Sequence, residues 1–98
     1  MKGGTISGNT ARQGGGGVGF EAHSTFSKTG GTITGYASDA INGNVVRDVS
    51  GTVRSTLSHA VGCSGIYLRV VSKDTTAGPG DNLYYDYDSG KISGAWDY

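Results

Sequence analysis

The chain reads as an all-β protein, a short parallel β-helix of about three coils, and three observations lead there. The phrase Gly3-Gly4-Thr5-Ile6-Ser7-Gly8 returns as Gly30-Gly31-Thr32-Ile33-Thr34-Gly35 and, weakened, as Ser89-Gly90-Lys91-Ile92-Ser93-Gly94. Each copy sets one apolar residue between hydroxyls and closes with glycine, the pattern of a short strand held between tight turns. The first interval, Ile6 to Ile33, is 27 residues, a period that belongs to repeats whose coils bury their apolar faces only by stacking.

The elements follow in order. Between the first two phrases lie the glycine run Gly14 to Gly17, then Val18-Gly19-Phe20 with period-two spacing, then Thr25-Phe26-Ser27, so each period offers about three strands with glycine-rich corners. Residues 2–37 are read as regular coils. Residues 44–57 are read as a hairpin insertion, because Asn44–Val49 and Thr52–Leu57 flank a Ser-Gly turn. His59-Ala60-Val61-Gly62 restores the Val18-Gly19 theme, and Ile66 to Val71 alternates as a strand. Gly78-Pro79-Gly80-Asp81 carries the signature of a type II turn. Residues 59–98 are then the last coil with an aromatic end, in which Trp96 serves as the cap over otherwise unpaired strands. The whole chain, 1–98, is one domain.

Composition narrows the function classes. Eight basic residues balance eight acidic ones, so there is no basic field for phosphate backbones, and direct nucleic-acid binding is not expected. Cys63 is the single cysteine, which rules out an internal disulfide and a cysteine-based zinc site. No run of about 18 apolar residues spans a membrane. Nineteen glycines with one proline lack the regular spacing of collagen.

With these residues in view, the chain resembles the bacterial repeat proteins that carry the GG-x-I-x-G phrase, akin to the polymorphic outer-membrane-protein repeats with their GG-A/T-I and FxxN signatures. Gly30-Gly31-Thr32-Ile33 matches the first signature. Phe26-Ser27-Lys28-Thr29 departs from the second at its last position. The resemblance covers residues 3–37 best and 59–71 and 89–94 less well. It implies a right-handed parallel β-helix, secreted or displayed on the cell surface, and it implies no catalytic residue. Met1-Lys2 runs straight into the first phrase without an apolar signal region, which leaves a cytoplasmic location open.

Several constellations bear on chemistry. Gly14, Gly16 and Gly19 satisfy GxGxxG, but neither a preceding strand nor a following helix is present to cradle a phosphate. Asp86 and Asp88 are a weak calcium candidate, since alternating carboxylates suit a hard cation, yet the third ligand position holds Gly90. His23, His59 and Cys63 have no spacing that joins them, and Cys63 reads as a small apolar residue. Thr5, Ser7, Thr32 and Thr34 form a hydroxyl row of ordinary strand-favouring residues, broken at Lys91. Tyr84, Tyr85, Tyr87, Trp96 and Tyr98 form the candidate binding surface, because tyrosine and tryptophan bury large area while keeping a polar handle. The alternative for Leu83, Tyr85 and Tyr87 is that they fill the terminal coil.

The expectation is therefore a non-catalytic structural or binding module with no cofactor, resembling the terminal part of a surface-displayed repeat protein. It would meet a protein partner or its own copies through its solenoid ends. Two other readings stand beside it. One is a small intracellular protein, of mobile-element kind, that inhibits a macromolecular partner by covering its surface. The other is a carbohydrate-binding or carbohydrate-active β-helix, which needs aspartates gathered with arginine or lysine on one face rather than scattered Arg47, Arg54, Arg69 and Lys73.

Overall fold

The computed structural model describes residues 1–54, 57–64 and 72–97. Every helix or strand among them is a strand: β1 (Thr5–Ile6), β2 (Thr10–Ala11), β3 (Val18–Glu21), β4 (Thr25–Lys28), β5 (Thr32–Ile33), β6 (Val45–Val46), β7 (Val61–Ser64), β8 (Ser72–Lys73), β9 (Leu83–Asp86) and β10 (Lys91–Gly94). The all-β expectation holds. Ile66–Val71 and Tyr98 lie outside the described residues.

Parallel pairing ties the first part of the chain to the second in chain order. Thr5 faces Thr32 and Ile6 faces Ile33, so the 27-residue echo is a register. β2 then pairs with β6, Thr10 facing Val45, and β3 pairs with β7, Val18 facing Val61. The offset between partners therefore grows from 27 to 35 to 43 residues. Surplus residues leave as a loop at 36–43 and as a turn after Val46. In that turn the Asp48 carboxylate accepts from the backbone N–H groups of Ser50 and Thr52 and from the Ser50 hydroxyl, an Asx-type closure. Arg47 bridges Val53 across it. Residues 44–57 are thus not looped out as one hairpin: Val45 and Val46 belong to the parallel stack.

A third coil does not follow. β9 and β10 form an antiparallel hairpin in which Ile92 faces Tyr85, and β9 pairs antiparallel with β4 on its other side. The cause is local. Only Tyr87–Gly90 separate the two strands, and a parallel crossover needs a dozen residues or more. Asp86 fixes the reversal by accepting from the Asp88 N–H and the Ser89 hydroxyl. The third copy of the phrase is therefore half of a hairpin. Four small sheets result, β1-β5, β2-β6, β3-β7-β8 and β10-β9-β4.

The core lies between these sheets. Ile33, Ala60, Val61, Ala77, Leu83 and Tyr85 are almost completely buried, with Phe20, Cys63 and Trp96 close behind. Burying one side chain of the size of Ile33 contributes about 1.5–3 kcal/mol. The Phe20 ring lies 5.5 Å from Phe26, 5.2 Å from Tyr85 and 6.5 Å from Trp96, in stacked and tilted arrangements that aromatic pairs favour. The Trp96 indole N–H donates to the Tyr84 carbonyl at 3.3 Å.

One polar residue sits at the centre of this apolar arrangement. Asn44, fully buried, donates from Nδ2 to the Ile6 and Thr34 carbonyls at 2.8 Å each. Its Oδ1 accepts from the Asn9 backbone N–H at 3.0 Å and from Asn9 Nδ2 at 2.9 Å. Every donor and lone pair of the carboxamide is used, which is the condition for burying it.

The glycine run supplies close backbone approach. A Cβ on Gly16 would stand 2.4 Å from the His59 carbonyl oxygen and 2.7 Å from the Val45 nitrogen. A Cβ on Gly3 would meet nothing. Gly16→Ala is expected to cost about 3 kcal/mol or more in urea unfolding, as overpacking against rigid backbone does, whereas Gly3→Ala stays within about 0.5 kcal/mol. Equal behaviour of the two variants would contradict this packing.

Candidate functional site

The feature that sets this fold apart from a closed domain is a row of strand edges with one partner each. Among the described residues, β1, β2 and β3 pair with β5, β6 and β7 on one side and with no other strand. Hydrogen bonds give the direction of each backbone group. Gly4 and Ile6 carbonyls accept from Thr32 and Thr34, and Asn9 and Ala11 carbonyls accept from Val45 and Arg47. In a parallel ladder alternate residues face opposite sides, so the N–H and C=O of Thr5 and Thr10 point away from the partner. Val18 donates to the Ala60 carbonyl, which by the same alternation turns Gly19 and Glu21 outward.

Under this edge the apolar residues are only partly covered. Ile6, Val18 and Phe26 pack on the core but stay half-exposed, whereas Ile33, Val46 and Val61 in the strands behind them are fully buried. Asn9 lies on the same rim: Asn44 satisfies its backbone N–H, and its Nδ2 also reaches the Ser7 carbonyl at 3.1 Å. Its own Oδ1 carries no hydrogen bond among the described residues.

The far side is closed. Ala77 exchanges both backbone hydrogen bonds with Ile33, β8 lies antiparallel on β7, and Val46 gives its N–H to His59 Nδ1 and its carbonyl to the Arg54 N–H. His59 thus carries its proton on Nε2, which faces Asp74 Oδ1 at 3.6 Å, too far for a good hydrogen bond. The Tyr36 ring lies 5.3 Å from His59.

The aromatic residues expected at the surface divide. Tyr85 and Trp96 are core side chains, the space-filling alternative for Tyr85. Tyr84 is half-buried with the Lys91 ammonium 5.1 Å from its ring, and Tyr87 is half-buried with the His23 ring 4.7 Å away. Tyr98, the fifth member of that candidate surface, lies outside the described residues. Asp86 and Asp88 do not converge either: Asp86 serves its own turn, and Asp88 Oδ1 meets His23 Nδ1 at 2.8 Å. His23, His59 and Cys63 each lie in different surroundings, and no group of three metal-ligating side chains forms among the described residues. The glycine run donates not to a ligand but to the Ser58, His59 and Ala60 carbonyls. No helix among the described residues is long and apolar enough to cross a membrane.

Sequence reasoning missed two groups. The first is Asn9 with Asn44, although Gly8-Asn9-Thr10-Ala11-Arg12 and Gly43-Asn44-Val45-Val46-Arg47 repeat the pattern Gly-Asn-x-x-Arg in the register that β2 and β6 adopt. The second is a pair of buried lysines. Lys28, fully buried, donates to the Gly78 and Asp81 carbonyls and thereby ties β4 to the Gly78–Asp81 turn. Lys73 lies 3.3 Å from Asp97 Oδ2 and 3.7 Å from Asp81 Oδ2, joining the same turn to the end of the chain. Arg47 and Arg54 instead donate to the Gly51 and Arg12 carbonyls, away from that cluster. No sequence periodicity marks the lysines, because the partners of Lys28 are backbone carbonyls of the turn and those of Lys73 are carboxylates 8 and 24 residues further on.

Burial of the Tyr85 hydroxyl, which has no hydrogen-bond partner among the described residues, pushes its ionisation up, and burial does the same to the adjacent Cys63 thiol. The thiol is therefore poorly nucleophilic.

Comparison with known proteins finds no matching family model, no similar curated protein and no similar solved structure.

Desolvation holds the Lys28 ammonium below the ordinary lysine value of 10.5, with Asp81 opposing and Lys73 adding to the effect. The unfolded chain then binds the Lys28 proton more tightly than the folded one, so this residue's contribution to stability rises with pH from its lowered value up to 10.5. Cys63 and Tyr85 act the other way, losing stability as pH passes their ordinary values of 9.0 and 10.0. In urea unfolding between neutral pH and 10.5, the wild-type chain is expected to gain on Lys28→Met as pH rises. A difference that does not change with pH contradicts the burial of a charged Lys28.

Proposed function

We propose that the chain is a non-catalytic stacking module, the end of a parallel β-helix of the kind used by surface-displayed bacterial repeat proteins, whose open strand edge receives a further coil. The observation that carries this reading is the asymmetry of the strand pairing. β1–β3 continue the pairing direction of β5–β7 outward, with the backbone groups of Thr5, Thr10 and Gly19 unspent among the described residues, while antiparallel segments cover β5 and β7 and the His59 ring and the Arg54 N–H cover β6 on the opposite side. A strand added along the open edge would supply main-chain hydrogen bonds and complete the burial of Ile6, Val18 and Phe26. Side-chain chemistry adds to the fit: Asn9, paired in register with Asn44, spends its Nδ2 on the Ser7 carbonyl and Asn44 Oδ1, and its own Oδ1 has no hydrogen-bond partner among the described residues.

The reading is tested by inserting a second copy of residues 3–29 between Lys2 and Gly3, which adds one coil at the 27-residue register. In a stack of nearest-neighbour contacts each added coil stabilises its neighbour, so the insertion is expected to raise unfolding stability by about 2 kcal/mol or more. It should also protect the Thr5 and Thr10 amides from hydrogen exchange. An inserted copy that exchanges like unfolded chain and leaves stability unchanged overturns the reading.

A further inference from the structure

We infer that two copies of this chain close on each other through their open edges, forming a two-fold dimer that cannot grow into a filament. The inference rests on the reading of β1–β3 as a stacking edge and adds the identity and geometry of the partner.

Three observations select a second copy and this symmetry. First, the edge lacks the devices that keep strands apart. β1 and β2 contain no charged residue, and β3 has only Glu21 at its end, although lysine and proline are the usual means of blunting an exposed edge. Among the described residues β4 and β10 are the end strands of their own sheet: Met1 bonds beside β4 at Ser27 and Thr29, and β10 carries one of these devices in Lys91, which is exposed. Second, half-covered Ile6 and Val18 stand beside unspent backbone groups, so the rim repeats the chemistry of the interface already made between β1 and β5 and between β3 and β7. Third, the opposite side cannot serve as a complementary acceptor, because Ala77 covers β5, β8 covers β7, and His59 and Arg54 cover β6. A head-to-tail arrangement needs two different free surfaces; with β5–β7 covered and the β10 edge blunted by Lys91, the β1–β3 edge meets its like, and such a contact is isologous and closes at two copies. In that arrangement a strand that meets its own counterpart runs antiparallel to it.

Met1 bounds the interface. Its amino group donates to the Ser27 carbonyl and its carbonyl accepts from the Thr29 N–H. The corner after β4 is already occupied, which leaves β1, β2 and β3 as the pairing strands.

The test is molar mass by light scattering and sedimentation equilibrium of the full chain across concentration, with two edge variants. Thr5→Pro and Thr10→Pro each remove a donor that points outward and leave the internal ladders intact, the position where an edge strand tolerates proline. Ile6→Lys places a charge on the rim without altering the backbone. The mass is expected to rise from 10.0 kDa to twice that value and stop, and each variant that retains the wild-type amide protection of Val45 and Val61 is expected to weaken dimerisation at least tenfold. A strict monomer overturns the inference, as does growth beyond two copies or a dimer that none of the folded variants weakens. A strict monomer that is nevertheless stabilised by the inserted coil would remove the dimer alone and leave the stacking module standing.

Discussion

Asn44 stands where the two parallel layers meet, and its carboxamide bonds to both. It reaches forward in space to Ile6 and Asn9, 38 and 35 residues earlier in the chain, and back to Thr34 in its own layer. An apolar residue there would leave β1-β5 and β2-β6 joined only as pairs of two-residue strands, which have little stability alone. A polar residue that failed to satisfy every group would cost more than it contributed. The site therefore accepts few side chains, and the register β1-β5 and β2-β6 depends on it. Asn44 also sets the pairing after a loop: the chain departs at Tyr36 and is brought back at Asn44, whose backbone exchanges hydrogen bonds with Thr34 and Tyr36.

Much of this was legible in residues. Gly3–Gly8 and Gly30–Gly35 repeat with enough fidelity that the pairing of Ile6 with Ile33 follows from their spacing, and Val18-Gly19 with Val61-Gly62 marks the third parallel pair. Two things escaped. The Gly-Asn-x-x-Arg repeat is masked by its different offset, since the 36–43 loop shifts it out of the 27-residue period. The phrase at Ser89–Gly94 misled for the opposite reason: its sequence resembles a strand of the stack, but the four-residue turn before it forces an antiparallel hairpin. Local similarity names a strand, whereas connection length decides its partner.

The aromatic residues show the same limit. Composition cannot separate a binding face from a core, and the decision at 83–86 was made by period two: Leu83 and Tyr85 turn in, Tyr84 and Asp86 turn out. Trp96 joins the inward set because the β10 hairpin places it against Phe20 and Phe26. The recognition surface we propose is backbone rather than rings, a row of strand edges with half-covered Ile6 and Val18 beside it. Neutral net charge suits such a surface, since neither copy of a like-to-like contact repels the other through a bulk field.

The account stands or falls on the carboxamide between the layers, and equilibrium urea unfolding of Asn44→Leu tests it most directly. Leucine nearly matches the volume but can neither donate to Ile6 and Thr34 nor accept from Asn9, so four hydrogen bonds are lost. At about 0.5–1.5 kcal/mol each, with the partly buried Asn9 N–H left without its acceptor, the expected loss is about 2–6 kcal/mol. A variant as stable as the wild-type chain would show that the layers hold their register without Asn44 and would contradict the account.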